Sequence, residues 1–299
     1  MNGFLIANKP TGMTSSDVVV FVRRRLPRGT AIGHGGTLDP EASGVLPLCI
    51  GKATRLFDYI IDKQKTYLAE IRLGEITDTQ DATGKIIETR PVNADERDLE
   101  NALQHFVGTI EQIPPMYSAI KRDGRRLYQL ARKGETVEVE PRKCRVDAIR
   151  LLGECGENTY QIEVQCGKGV YIRTLCHDIG EFLGCGGHMS ALKRTRAGVF
   201  TLENAFTREQ IAEMCENNAL ENALIPMDAP LQHLKAVHVG EEAHHAVKNG
   251  NPLKPKWLDV QPQTGEVVRV YLNGKFAGIG CTEADGCVRF RAMLLEDEA

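Results

Sequence analysis

The run Gly33-His34-Gly35-Gly36-Thr37-Leu38-Asp39-Pro40 carries the sharpest chemical signal in the chain. Glycines let a backbone approach a ligand closely, and here they stand beside one imidazole and one carboxylate. An aspartate with a reference pKa of about 3.9 is ionised at neutral pH and can serve as nucleophile or base. Taken alone, an Asp in such a loop is more often a turn cap. The segment continues as Glu41-Ala42-Ser43-Gly44-Val45-Leu46-Pro47, which a simple capped turn does not require.

Cations gather around this segment in three runs. Residues 115–150 hold ten Lys and Arg, among them Lys121, Arg122, Arg125, Arg126 and Lys133, against five Asp and Glu, a local balance of +5. Arg23, Arg24, Arg25 and Arg28 form a second run; Lys193, Arg194 and Arg196 form a third. One such run is usually a solvated face. Three of them flanking a candidate site suggest a surface that tracks phosphates. The chain as a whole is slightly acidic, with 37 Lys and Arg against 40 Asp and Glu, which excludes a strongly cationic nucleic-acid coat but not a nucleic-acid enzyme. Cys176-His177 with Cys185-x-x-His188 has the letters of a zinc site. Adjacent helical residues point about 100° apart, however, so no metal site is expected. With no dinucleotide or phosphate loop either, no cofactor is expected.

The elements that must position these residues read as follows. Gly3–Asn8 is a strand closed by Lys9-Pro10-Thr11-Gly12. Thr14-Ser15-Ser16-Asp17 offers caps for a helix ending at Arg23-Arg24-Arg25. Gly33–Pro40 is irregular. Val45–Ile50 is a strand, placed at a sheet edge because of Pro47. Lys52–Ile61 reads as a helix, Lys65–Leu73 as an alternating strand. Asn93 with Glu96 has a capping-box pattern for a helix over Ala94–Val107. Arg125–Lys133 reads as a short helix stopped by Gly134. Arg145–Leu152 and Tyr160–Cys166 are strands, Tyr171–Leu183 and Arg208–Glu216 helices. After Asp228-Ala229-Pro230 come a helix over Glu241–Lys248 and strands Val267–Leu272, Phe276–Cys281 and Cys287–Met293, with Asn273-Gly274 as a hairpin turn. Strands and helices alternate too irregularly for a doubly wound fold, so the class is α+β with a mixed or antiparallel sheet.

His-x-Gly-Thr-Leu-Asp-Pro-x-Ala-x-Gly-Val-Leu, residues 34–46, resembles the catalytic signature of the TruB family of tRNA pseudouridine synthases, which act at tRNA position 55. Further segments resemble that family's motifs in order. They are Lys9-Pro10-x-Gly12-Met13-Thr14-Ser15, Lys65-Thr66-Tyr67 with Leu73-Gly74-x-x-Thr77-Asp78-Thr79, and Pro114-Pro115-x-Tyr117-Ser118-Ala119-x-Lys121 with Gly124-Arg125-Arg126-x-Tyr128. Lys168-Gly169-x-Tyr171-Ile172-Arg173-Thr174-Leu175 and His188-Met189-x-x-Leu192-Lys193-Arg194-Thr195-Arg196-x-Gly198-x-Phe200 complete the series. Gly35 departs from the family's usual Thr. The resemblance implies catalysis by Asp39, a carboxylate-holding role for Arg173, whose planar fork suits one, and base stacking on Tyr67. It also implies apolar packing of the flipped base on Leu192, and His34 filling the gap left by the extruded nucleotide. Lys9, Lys121, Arg122, Arg125, Arg126 and Lys133 are carried over as RNA contacts. Whether Asp39 attacks the base, attacks the sugar or takes a sugar proton is open at this level.

At roughly 150 residues per domain, 299 residues suggest one large and one small unit. The expected division is a pseudouridine synthase catalytic domain over 1–230, with an RNA-clamping loop at about 114–145, and a small β-rich domain over 231–299. Gly240-Glu241-Glu242-Ala243, Asn249-Gly250 and the later strands of the latter resemble a PUA-like RNA-binding module. The expected partner is tRNA, through its T arm and possibly its acceptor stem, and the protein is expected to be a monomer. No apolar run nears the length of a membrane helix, and the N-terminus lacks a basic signal region. Nine cysteines without a C-x-x-C pair read as reduced thiols in a cytoplasmic protein. A guide-RNA-dependent synthase and a tRNA-binding chaperone are the alternatives. A glycoside hydrolase would require a second carboxylate near Asp39.

Overall fold

Strand β1 (Gly3–Lys9) runs antiparallel along β3 (Ser43–Ile50) over its whole length, Gly3 opposite Ile50 and Lys9 opposite Gly44. The computed structural model describes residues 1–61, 64–115, 121–122, 125–126, 137 and 139–295. Its other strands are β2 (Ile32–His34), β4 (Lys65–Leu73), β5 (Glu75–Thr77), β6 (Ile86–Thr89), β7 (Gly108–Gln112), β8 (Lys121–Arg122), β9 (Arg125–Arg126), β10 (Arg142–Gly156), β11 (Thr159–Cys166), β12 (Gly187–Ala197) and β13 (Phe200–Thr201). Four more, β14 (Lys235–Val239), β15 (Val267–Leu272), β16 (Lys275–Thr282) and β17 (Val288–Met293), lie beyond residue 230. The main sheet has the order β1-β3-β12-β4-β11-β10-β7, with β2 paired to β3 and β13 to β12. It is mixed, because β12 runs parallel to β3 and antiparallel to β4. The class is therefore α+β.

The period-two runs form strands as expected, and β4 has the bounds read from its alternation. Several expectations need correction. First, β3 is internal. Pro47 is accommodated because β12 covers only Ser43–Gly44 on that side and β2 only Leu48–Ile50, so the residue without an N–H falls between two ladders. Second, the Gly33–Pro40 run is not irregular throughout, since Ile32–His34 pairs with β3 and the loop begins at Gly35. Third, the cap of helix α3 (Glu96–His105) is Asp95, not Asn93. Asp95 accepts from the Asp98 N–H at 2.9 Å, and Asp98 accepts from the Asp95 N–H at 3.1 Å. Arg125–Arg126 is a strand paired with Lys121–Arg122 rather than the start of a helix. The rest of that expected helix, residues 127–133 with Lys133, lies outside the described residues, as does most of the expected clamping loop.

Helices pack on the sheet in separate apolar clusters. Helix α1 (Ser15–Arg23) starts in a capping box between Thr14 and Asp17 and buries Val18, Val19 and Val22 against Leu5, Leu46 and Leu48. Helix α2 (Phe57–Ile61) follows a 3-10 turn over Gly51–Leu56. Helices α3 and α4 (Ile172–Phe182) pack Leu99, Leu103, Leu175 and Ile179 with Ala69, Ile71, Ile162 and Val164. Helix α5 (Arg208–Glu216) is capped by Thr207.

The strands β14–β17 form a separate four-stranded sheet with its own apolar cluster, joined by helix α6 (His244–Lys248). This region is also sewn to the main sheet. Ile279, Ala292 and Leu294 share one cluster with Phe4, Ile6, Leu56 and Ile60. Arg55 donates to the Met293 carbonyl at 2.9 Å, and Lys52 donates to that of Leu295. The Tyr271 hydroxyl donates to Asp228 at 2.8 Å and accepts from Arg269 at 2.9 Å. Among the described residues no helix is long and apolar enough to cross a membrane.

Candidate active site

Asp39 lies on the loop from β2 to β3, and Arg173 on the first turn of α4. The helix brings the guanidinium back to the loop, where Arg173 Nε sits 3.1 Å from Asp39 Oδ2. Arg173 Nη1 also lies 3.2 Å from Asp81 Oδ2, so the guanidinium bridges two aspartates. Arg173 is 5% exposed and Asp81 14%, whereas Asp39 keeps 42% of its side chain open to solvent. Asp39 is therefore the carboxylate a substrate can reach.

Asp81 is a residue the sequence reading did not single out. Its Oδ1 accepts from Thr79 Oγ1 at 2.8 Å, from the Thr83 N–H at 3.0 Å and from Thr83 Oγ1 at 2.5 Å. With Oδ2 on Arg173, this carboxylate is fully engaged and is poorly suited to be the second acid of a glycoside hydrolase. The signal available was the density of turn formers in Thr77-Asp78-Thr79-Gln80-Asp81-Ala82-Thr83-Gly84. Desolvation raises the Asp39 carboxyl above its ordinary value despite the open side. Arg173 pulls it down, Asp81 pushes it up and Lys9 pulls it down. A cavity of about 590 Å³ is lined by Asp78, Gln80, Glu111, Thr174, His177 and Asp178, two of which adjoin the bridge residues in sequence.

Tyr67 on β4 is buried beside Leu38 and Ala42, the residues that flank Asp39 and Glu41, and Leu192 on β12 packs against the same cluster. Burial raises the Tyr67 phenol, and the nearby charge of Arg194 draws it back. Tyr67 and Leu192 thus belong to the apolar cluster that also holds Leu38, the residue before Asp39, and Ile172, the residue before Arg173. His34 stands on β2 at the start of the same loop. Its buried Nδ1 has no hydrogen-bond partner, and burial and then Arg194 lower its pKa.

Two cations expected on an RNA surface are inside the protein instead. Lys9 is 0% exposed, and its ammonium donates to the carbonyls of Pro10 at 2.8 Å, Met13 at 2.6 Å and Pro40 at 2.9 Å. Three protons on three carbonyls leave none for a phosphate. Burial lowers its pKa to about 8, against the pull of Glu41, Asp39 and Asp17. Arg194 is 1% exposed and bonds to main-chain carbonyls, whereas its neighbours Lys193 and Arg196 are exposed. Ser15 completes the attachment of the loop, accepting from the Leu38 N–H at 2.8 Å and donating to the Leu38 carbonyl at 3.1 Å. The Arg23-Arg24-Arg25 run is exposed at the end of α1. Lys121, Arg122, Arg125 and Arg126 lie on the β8–β9 pair.

Residues 24–172 match the profile of the TruB family pseudouridylate synthase (N terminal domain), and residues 173–232 that of the tRNA pseudouridylate synthase B C-terminal domain. A tRNA pseudouridine synthase B of Alkaliphilus oremlandii is 44% identical over 94% of this chain and 93% of its own. One of Pseudomonas syringae is 42% identical over 98% of this chain and 96% of its own. Among solved structures, a chain of a Cbf5-Nop10-Gar1 complex is 27% identical, with a TM-score of 0.72 over 99% of this chain and 84% of that one. The aspartate on its glycine loop thus stands in a chain that belongs to the TruB family of pseudouridylate synthases.

Proposed function

We propose that the protein isomerises uridine to pseudouridine at position 55, in the T loop of tRNA. The observation that carries this reading is the exposed Asp39 held by the buried Arg173 beside Tyr67 and Leu192. The reaction breaks the C1′–N1 bond and forms a C1′–C5 bond. C5 loses a proton and N1 gains one, so no redox partner or group donor enters. The target base must leave the stack for Asp39 to reach it. Tyr67 then offers it an aromatic face and Leu192 an apolar one, while His34 occupies the space vacated in the RNA. Asp39 acts as nucleophile or base, its charge balanced by Arg173, which Asp81 holds in place.

Arg23, Arg24, Arg25, Lys121, Arg122, Arg125, Arg126 and Lys133 are assigned to phosphates of the T arm. The β-rich region over 231–299, read as PUA-like, is assigned to tRNA outside that arm. The relatives at 42–44% identity named tRNA pseudouridine synthase B favour a stand-alone tRNA enzyme over a guide-dependent one. The test is incubation with unmodified tRNA followed by carbodiimide mapping. A single new pseudouridine at position 55, formed without any guide RNA, is expected. Modification at another position, or only with an added guide, would overturn the assignment.

A further inference from the structure

We propose that Arg194 is a positioning residue for Asp39, holding the catalytic loop closed at both ends. The proposal rests on the reading of Asp39 as the catalytic group. The loop runs from Gly35 to Ala42 without regular structure. Its entry carries two successive glycines, so its shape must come from what grips it. At the entry, the Arg194 guanidinium donates through Nη2 to the Gly36 carbonyl at 3.0 Å and through Nη1 to that of Thr37 at 3.4 Å. At the exit, Nε of the same group donates to the Val45 carbonyl at 2.8 Å. Main chain adds a second hold there, because Ser43–Gly44 lies parallel to Lys193–Arg194. Gly44 has φ +104°, and a Cβ on it would fall 2.2 Å from the Arg194 carbonyl oxygen. Only glycine permits that approach.

The residue type fits the task. Five donors spread over a rigid planar fork can reach carbonyls too far apart for the single nitrogen of an ammonium to serve together. Burial makes each of these bonds expensive to break, so the loop has little freedom to drift. Tyr67 stands opposite Arg194 in the β4–β12 ladder, so the residue whose side chain grips the aspartate's loop is also the strand partner of the aromatic. A misplacement of the order of 1 Å costs about a hundredfold in rate.

Arg194→Lys and Arg194→Met are compared with the parent by thermal melting, by single-turnover rate on saturating tRNA transcript, and by the salt dependence of tRNA binding. Asp39→Asn runs alongside. Both Arg194 variants are expected to fold and to lose about ten- to a hundredfold in single-turnover rate, with the parental slope of log K against log salt. A parental rate in Arg194→Met with a slope reduced by roughly 0.7–0.9 would make Arg194 a phosphate contact and overturn the proposal. So would a parental rate with a parental slope. Failure of both variants to fold would assign Arg194 to the fold as a whole and overturn it too. If Asp39→Asn is inactive while the Arg194 variants keep full rate, the clamp alone falls. If Asp39→Asn turns over normally, the reading of Asp39 falls with it.

Discussion

The loop bearing Asp39 and the sheet β14–β17 are both fastened to the main sheet, by opposite means. Buried polar groups grip the loop: Lys9 and Arg194 on its carbonyls, Ser15 on Leu38, and Arg173 on Asp39 itself. The C-terminal sheet is held mainly by area, through Ile279, Ala292 and Leu294 packed on Phe4, Ile6 and Leu56, with a few polar ties. Hydrogen bonds fix a position to within a few tenths of an ångström but fail when one partner is lost. Apolar area tolerates small errors and loses stability by degrees. The geometry that the proposed reaction needs is thus held by the first means, and attachment of a second region by the second.

Single substitutions at the loop should therefore cost more than those at the C-terminal seam. The largest expected effect is that of Asp39→Asn, a loss on the order of 10³-fold or more in pseudouridine formation with tRNA affinity retained. Substantial turnover by this variant would remove the loop's special status. Arg173→Lys follows, on the order of 10²-fold, because an ammonium cannot span two carboxylates that the guanidinium meets at 3.1 and 3.2 Å. Single-turnover rates decide both. The pH profile sharpens the point. Burial and Asp81 hold the Asp39 carboxyl above its ordinary value, so activity should fade on acidification earlier than for a free aspartate. Asp81→Asn removes an upward push and should move that acid limb to lower pH.

Lys9→Met comes next. It strands the carbonyls of Pro10, Met13 and Pro40 and should cost about 2 kcal/mol of stability. The salt slope of tRNA binding should stay parental, and a reduced slope would return Lys9 to the RNA surface. Smallest is Tyr271→Phe, which breaks the Asp228–Tyr271–Arg269 link for about 1 kcal/mol in a denaturant melt, with no change in single-turnover rate. A rate effect as large as that of Arg173→Lys would erase the contrast between the two regions.

Much of the frame was legible because local rules decide it. The alternation of Lys65–Leu73 specifies β4, and Thr207 with Gln210 caps α5 as a capping box should. The site was legible where residue type and motif coincide, at Asp39 and Arg173. It was illegible where tertiary context turns a charge inward. Lys193, Arg194 and Arg196 read as one cationic run, yet a strand sends neighbours to opposite faces, and a bulge between Arg194 and Arg196 resets the alternation. Lys9 ends a strand whose carbonyl partners come from residues up to 31 positions away. Pro47 argued for an edge because the gap between the β12 and β2 ladders is a property of the assembled sheet. Asp81 lay hidden in a run of turn formers, 92 residues from the arginine it holds.

Strand β1 is made well before the segments that close its outer edge, which lie some two hundred residues further along the chain. Phe4 exchanges backbone hydrogen bonds with Ile225 at 2.9 and 2.8 Å, and Phe206 bonds to Ile6 and Asn8 at 2.8 Å. During synthesis that edge waits for more than two hundred residues, roughly 10–45 s at ordinary elongation rates. Throughout that interval Gly3-Phe4-Leu5-Ile6-Ala7 is an apolar strand with unpaired backbone, the kind of segment that recruits other chains. Yield from a cell should therefore depend on how well nascent β1 is shielded, a quantity set by chaperone supply and growth temperature as well as by the stability of the finished fold.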